Sequence, residues 1–321
     1  MTEELGRLKF YEYKKVEENL KPELLSGLRE SPKHISPKFF YDKTGSQLFD
    51  QITNLEEYYP TEKEISILRD HINEICSMIG ENSALIEYGG ANLRKISIIL
   101  DHCKGIAYYI PIDISTIYMQ SSVNRLLNQY EDLSIMAISA DFTKPIRIPD
   151  IEKFSRRTIL FLGSSIGNFE PDELLHFLMN ANETIEEGDC LIIGADLRKD
   201  SEILNRAYND SRGVTAAFNL NLITRINREF GSGLSPELFQ HFASYNGEKG
   251  RIEMYLKVLD NFEMNIGGEE IVFRKNELIH TENSYKFTIE GFSDIVEKAG
   301  FKVGKVWTDE ENYYSVFIIV K

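Results

Sequence analysis

Between residues 84 and 196 the chain repeats one pattern. A short, continuous apolar run ends in small or acidic residues, and a longer stretch follows with apolar positions three and four apart. The runs fall at 84–88 (Ala84, Leu85 and Ile86, then Tyr88 past an acid), 106–112, 135–139, 158–162 and within CLIIGADL up to Asp196. Continuous runs of this length suit strands buried on both faces, and the 3.6-residue period of 93–102, 117–130 and 171–180 suits helices that cover them. Strand and helix in alternation predict an α/β fold with a doubly wound parallel sheet. Just ahead of this region, Thr61 is the expected N-cap of a helix with Glu64 as its reciprocal partner. Ile65, Leu68, Ile72 and Ile75 form that helix's apolar face.

Outside 84–196 the rhythm differs. Residues 8–13 read as an edge strand and 18–29 as a helix, and Pro32 and Pro37 punctuate a loop. After Asp196 come two helical stretches, 202–217 and 219–230, then strand-like runs at 250–259, 262–266 and 270–274. This predicts a second domain, of α+β type. The chain closes on a capped helix (TIEGFSDIVEKAGF) and two strands joined by a polar turn (KVGKVWTDEENYYSVFIIVK). A terminal antiparallel hairpin on a parallel sheet is typical of methyltransferases and absent from most dehydrogenases. The expected division is therefore 61–196 with 287–321, and 1–60 with 197–286.

The strand ends carry the candidate chemistry. The first ends in Gly89-Gly90-Ala91, where bare backbone can approach a ligand at the carboxyl edge of the sheet. The second ends in Asp113, 24 residues after Gly89, where an acid can meet a ribose hydroxyl pair. The third leads into Asp141-Phe142, an acid and an aromatic suited to the edge and face of adenine. A full G-x-G-x-x-G is missing, which argues against a pyrophosphate ligand and for adenosine without phosphates, as in S-adenosylmethionine.

Composition narrows the classes. The 321 residues carry 36 Lys and Arg against 51 Asp and Glu, a formal charge of −15, which disfavours nucleic acid and anionic membrane as partners. Three cysteines without C-x-x-C spacing predict reduced thiols in a cytoplasmic protein. Six dispersed histidines predict no metal site, and neither a signal peptide nor a membrane span is legible. A monomer acting on a small molecule is expected.

Several blocks together resemble one family. FFYDKTGSQLFDQITNLEEYYPTE, GSSIGNFEP, GADLRKD, AYNDSRGVTAAFNLNLITRINRE, RIEMYL and HTENSYKF are similar to the histidine-specific N-alpha-methyltransferases of ergothioneine biosynthesis, over nearly the whole chain. The resemblance implies a Rossmann-like class I methyltransferase sheet plus a substrate domain. It implies conversion of L-histidine to trimethylhistidine (hercynine) with three equivalents of S-adenosylmethionine and no metal. Carried over by motif, Tyr41, Gly89, Lys95, Asp113, Asp141, Phe142 and Gly163 would contact the methyl donor. Tyr58, Asn168, Tyr208, Met254, Glu282 and Ser284 would hold the amino acid. Ala91 stands where the family usually has a second glycine; at a positive φ it would cost roughly 1–2 kcal/mol.

These residue types suit the chemistry. A phenol, Tyr41 or Tyr58, would accept or relay the proton that the amine must lose; no histidine or carboxylate base stands out. Asn168 and Tyr208 can donate to a carboxylate, and Glu282 with Ser284 can serve the two imidazole nitrogens. Each also has a structural reading: a half-buried aromatic pair at Tyr58-Tyr59, a turn at Asn168, a loop acid at Glu282. Two rivals stand beside the histidine reading. One is a relative acting on another amino acid or a tryptophan-derived amine; the other is a donor-binding protein without catalysis.

Overall fold

The computed structural model describes residues 2–13, 20–89, 93–144, 146, 148–149 and 154–321, with the backbone alone at 2–5 and 117–118. The chain forms two compact units, one of residues 1–15, 60–198 and 286–321 and one of 16–59 and 199–285.

The first unit is built on a nine-stranded sheet in the order β1-β2-β5-β4-β3-β6-β7-β14-β13. Its centre is five parallel strands: β3 (Ser83–Tyr88), β4 (Ile106–Asp113), β5 (Ser134–Ser139), β6 (Arg156–Phe161) and β7 (Cys190–Asp196). Alternate residues feed two cores. Leu85, Tyr109, Ile135, Leu160 and Ile192 meet the helices α3 (Tyr59–Asp70), α4 (Ile72–Ile79), α5 (Leu93–His102) and α6 (Thr116–Gln129) on one face. Ala84, Ile86, Ile110, Ile159 and Ile193 meet α7 (Pro171–Thr184) and α10 (Ile289–Lys298) on the other. Burial on both faces explains why these strands read as unbroken apolar runs. The expected terminal hairpin is β13 (Lys302–Thr308) and β14 (Tyr314–Val320), with β14 antiparallel to β7.

Three expectations need correction. The N-terminal residues do not all join 16–59: β1 (Thr2–Leu5) pairs with β2 (Leu8–Glu12), and β2 runs parallel to β5, extending the first unit's sheet. Helix α3 begins at Tyr59, so Thr61 lies inside it rather than capping it. Pro60 falls in the first turn, where its missing N–H costs nothing. The thiols are not all reduced: Cys76 on α4 and Cys103 after α5 form a disulfide, and Cys190 is free and buried. Helix packing brings together two cysteines that are 27 residues apart, which spacing alone did not reveal.

The second unit has its own core. Helices α1 (Leu20–Arg29), α2 (Lys43–Ile52), α8 (Ser201–Tyr208) and α9 (Val214–Phe230) surround a three-stranded antiparallel sheet, β12-β9-β8, and a hairpin, β10-β11. The strands are β8 (Phe239–Asn246), β9 (Arg251–Val258), β10 (Phe262–Ile266), β11 (Glu269–Phe273) and β12 (Leu278–Tyr285). β8 and β12 were not expected from the sequence. Their polar residues hid them: in FQHFASYN and LIHTENSY few positions are apolar, and Thr281, Glu282, Asn283 and Ser284 are consecutive polar residues that are all buried.

Candidate active site

In the first unit the donor candidates gather at the carboxyl ends of β3, β4, β5 and β6. Gly89 follows β3 with φ of +71°, a conformation that favours glycine, and a side chain there would meet nothing within 4 Å. Gly90, Ala91 and Asn92 lie outside the described residues, and with them the expected strain at Ala91. Asp113 ends β4, and its Oδ1 accepts the Ser115 N–H at 2.7 Å. Burial pushes this carboxyl up to about 6, against the pull of the backbone N–H groups. Asp141 follows β5, and its Oδ1 accepts from the N–H and hydroxyl of Thr143 at 3.0 and 2.6 Å. The Phe142 ring stacks on Tyr88 with centroids 5.7 Å apart and stands edge-on to Phe161 at 5.5 Å.

The β6 tip is more elaborate than its sequence suggests. Gly163 has φ of +99°, and Ser164, at +63°, is a non-glycine residue in the left-handed region. The Ser164 hydroxyl is buried with no hydrogen-bond partner among the described residues. Behind the tip lies Glu64, fully buried. Its Oε1 accepts the Gly163 N–H and the Tyr314 hydroxyl, each at 3.0 Å, and its Oε2 is 2.5 Å from the Lys95 Nζ. A side chain at Gly194 would place Cβ 1.9 Å from that carboxylate, so β7 needs glycine there. Glu87, next to last in β3, accepts a very short hydrogen bond from Tyr109, and burial pushes its carboxyl up to about 7. Neither Glu64 nor Glu87 was picked from the sequence: Glu64 read as a capping residue, and Glu87 as an acid interrupting a strand. Asn168, a substrate candidate, closes the short turn Ser165–Asn168 in this first unit.

The second unit holds the remaining candidates, Tyr41 among them although its motif points to the donor. Their rings form a chain. Tyr41 stands edge-on to Phe49 (centroids 6.0 Å apart), Phe49 to Tyr58 (6.3 Å) and Tyr58 to Tyr208 (6.1 Å). Phe218 on α9 backs both Tyr41 and Phe49, at 6.1 and 6.0 Å. Sequence reading missed Phe49, whose single signal is its place beside Gly45 and Leu48 on a short helix.

The chain of rings ends on the sheet. Tyr208, at the end of α8, donates 2.7 Å to the Ser284 hydroxyl. Glu282 and Ser284 on β12 lie directly across from Met254 and Ile252 on β9, and all four are buried. A bulge between His280 and Glu282 makes this possible. His280 opposes Tyr255 and Glu282 opposes Met254, neighbours on β9 that face opposite ways, so Thr281 is an extra residue that turns Glu282 to the side of Met254.

Supports behind the rings come from the AFNLN block of α9. Asn221 donates 2.9 Å to Asp42, whose same oxygen takes the Gly45 N–H and caps α2, one residue beyond Tyr41. Asn219 lies 2.9 Å from the Nδ1 of His241, whose Nε2 lies 2.9 Å from the Tyr208 carbonyl. Donor and acceptor alternate along this line only if His241 is neutral with its proton on Nε2. Burial lowers its pKa in keeping with that form. Among the described residues, no three His, Cys, Asp or Glu side chains are placed to hold a metal, and no helix is long and apolar enough to cross a membrane.

Comparison with known proteins shows the family. Residues 20–321 match the family described as "Histidine-specific methyltransferase, SAM-dependent". The chain is 36% identical to the histidine N-alpha-methyltransferase of Mycolicibacterium smegmatis over 95% of both proteins. It is 35% identical to that of Mycobacterium tuberculosis, over 94% of this chain and 95% of the relative. A more distant relative is the 4-dimethylallyltryptophan N-methyltransferase of Claviceps purpurea, 26% identical over 92% of this chain and 93% of that protein.

Proposed function

This chain belongs to the histidine-specific, S-adenosylmethionine-dependent methyltransferase family, and from that premise we propose that it methylates the α-amine of L-histidine three times, giving hercynine. The observation that carries the substrate reading is the Tyr208–Ser284 hydrogen bond with Glu282 beside it on the same strand. It joins a phenol fit for a carboxylate to a hydroxyl and an acid fit for an imidazole.

The first unit fits the donor. Asp113 and Asp141 offer charged acceptors at successive strand ends, Phe142 an aromatic face, and Gly89 open space against bare backbone. When bound, S-adenosylmethionine supplies an electrophilic methyl group on a sulfonium. Gly163 would line the same site, and Lys95 stands behind it. Within the second unit, Tyr208 would serve the substrate carboxylate and Met254 would pack on the ring edge.

The chain's work is positioning and proton transfer. Near pH 7 free histidine is mostly an ammonium, and only the neutral amine has a lone pair to attack. Tyr41 or Tyr58, directly or through water, would take the proton. In each round a nitrogen–carbon bond forms, a carbon–sulfur bond breaks, and one proton leaves the substrate. The quaternary product has no lone pair, so the sequence ends at three. The aromatic chain tolerates the growing cation through cation–π attraction.

Incubating the protein with S-adenosylmethionine and an amino-acid panel that includes tryptophan and dimethylallyltryptophan, read by mass spectrometry, tests this. Trimethylated histidine with an unmodified ring is expected. Turnover of an indole substrate in preference to histidine would overturn it.

A further inference from the structure

Glu64 has a second consequence for this reaction. Its carboxylate and the Lys95 ammonium, 2.5 Å apart, are both buried, and the pair sits against Gly163 at the β6 tip. A Cβ on Gly163 would lie 3.0 Å from the Lys95 nitrogen, so the ammonium packs directly behind the tip backbone. Three elements fix Glu64 there. It projects from α3, Tyr314 on β14 donates to it, and Gly194 on β7 leaves the space it fills.

Methyl transfer turns a cationic sulfonium into a neutral thioether. Charges fixed near the donor therefore discriminate donor from product, while shape acts on both nearly alike. We propose that the buried Glu64–Lys95 pair sets this discrimination: Glu64 is a positioning residue that cancels the Lys95 charge behind Gly163, so that the cationic donor is not penalised against its neutral product. The proposal rests on the donor site described above.

Opposite single variants give it a test. In Glu64→Gln the amide keeps much of the shape but leaves the ammonium unpaired. In Lys95→Met the carboxylate is left instead. Affinities of the full chain for S-adenosylmethionine and S-adenosylhomocysteine are measured by calorimetry. Glu64→Gln should shift the donor-to-product affinity ratio about tenfold towards the product, and Lys95→Met should shift it towards the donor. The double variant should return near the wild-type ratio. A packing role would move both ligands together in each variant, and that result overturns the proposal. So would shifts of the same sign in the two single variants. Should Glu64→Gln not fold, Lys95→Met decides by its sign. A wild-type protein that binds neither ligand refutes the donor site itself, and the proposal with it.

Discussion

The Tyr208 phenol donates 2.7 Å to the Ser284 hydroxyl, across 76 positions of sequence, and both groups are buried. Tyr208 is also held from behind, because the His241 ring lies 2.9 Å from its carbonyl. Both ends of the residue are fixed before any substrate arrives, which reduces the ordering cost of binding.

Tyr208→Phe removes the phenol without opening a cavity. The expected loss is about 1–2 kcal/mol of histidine binding, seen as a roughly tenfold rise in KM, and the broken buried hydrogen bond to Ser284 should also lower Tm. A KM for histidine equal to wild type would remove Tyr208 from the substrate site.

Selectivity for histidine is expected to depend on Glu282. Its side chain is buried opposite Met254, on the strand that also carries Ser284, where it can accept from an imidazole N–H. A site built to hydrogen-bond a ring N–H can reject a ring that lacks it by about 10⁴. Glu282→Ala should lower kcat/KM for histidine sharply and relax the rejection of phenylalanine, whose ring has no N–H. Enlarging the pocket at Met254 should extend that change. An unaltered histidine-to-phenylalanine ratio would mean that the acid has no part in holding the ring.

Donor binding should depend on pH through Asp113. Its carboxyl is pushed up to about 6 by burial, so it is the charged acceptor above that value and a neutral acid below it. Donor affinity, by calorimetry, should therefore fall as pH drops through about 6, and Asp113→Asn should be weak and flat across the same range. The raised value acts on folding in the opposite sense. Protonated Asp113 favours the folded state, and this contribution is lost as pH rises from the ordinary carboxylate range to about 6. A wild-type binding profile without an inflection there would exclude this role for Asp113.

The Cys76–Cys103 disulfide closes a loop across a sequence separation of 27 residues, for which chain entropy predicts about 3–4 kcal/mol of stabilisation. Reduction, or Cys76→Ser, should lower Tm by several degrees. Alkylation with and without reductant should count two additional reactive thiols. Three thiols reactive in unfolded, unreduced protein would show that the bond does not form.

What the sequence determined is the first unit's architecture and the residue types at its strand ends. Strands buried on both faces must be apolar throughout, and the break after each falls where the ligand edge of the sheet lies, so Gly89, Asp113 and Asp141-Phe142 stood out by position. The motif blocks likewise named Tyr58, Tyr208, Glu282 and Ser284, but not what joins them. Tertiary structure decided three things that local pattern cannot carry. The bulge at Thr281 turns Glu282 to the opposite face from His280, whereas strict alternation would have put both on one side. The N-terminal strands join the first unit because β5 offers a free edge, a pairing set by topology and not by neighbouring residues. Glu64 turns from its expected place at a helix start into a buried pair with Lys95, because α3 begins at Tyr59 and Gly194 leaves room beside the sheet. Local propensity fixes elements over a few residues; burial, register and ion pairing are settled between residues far apart in the chain, and the polar residues of this site depend on the latter.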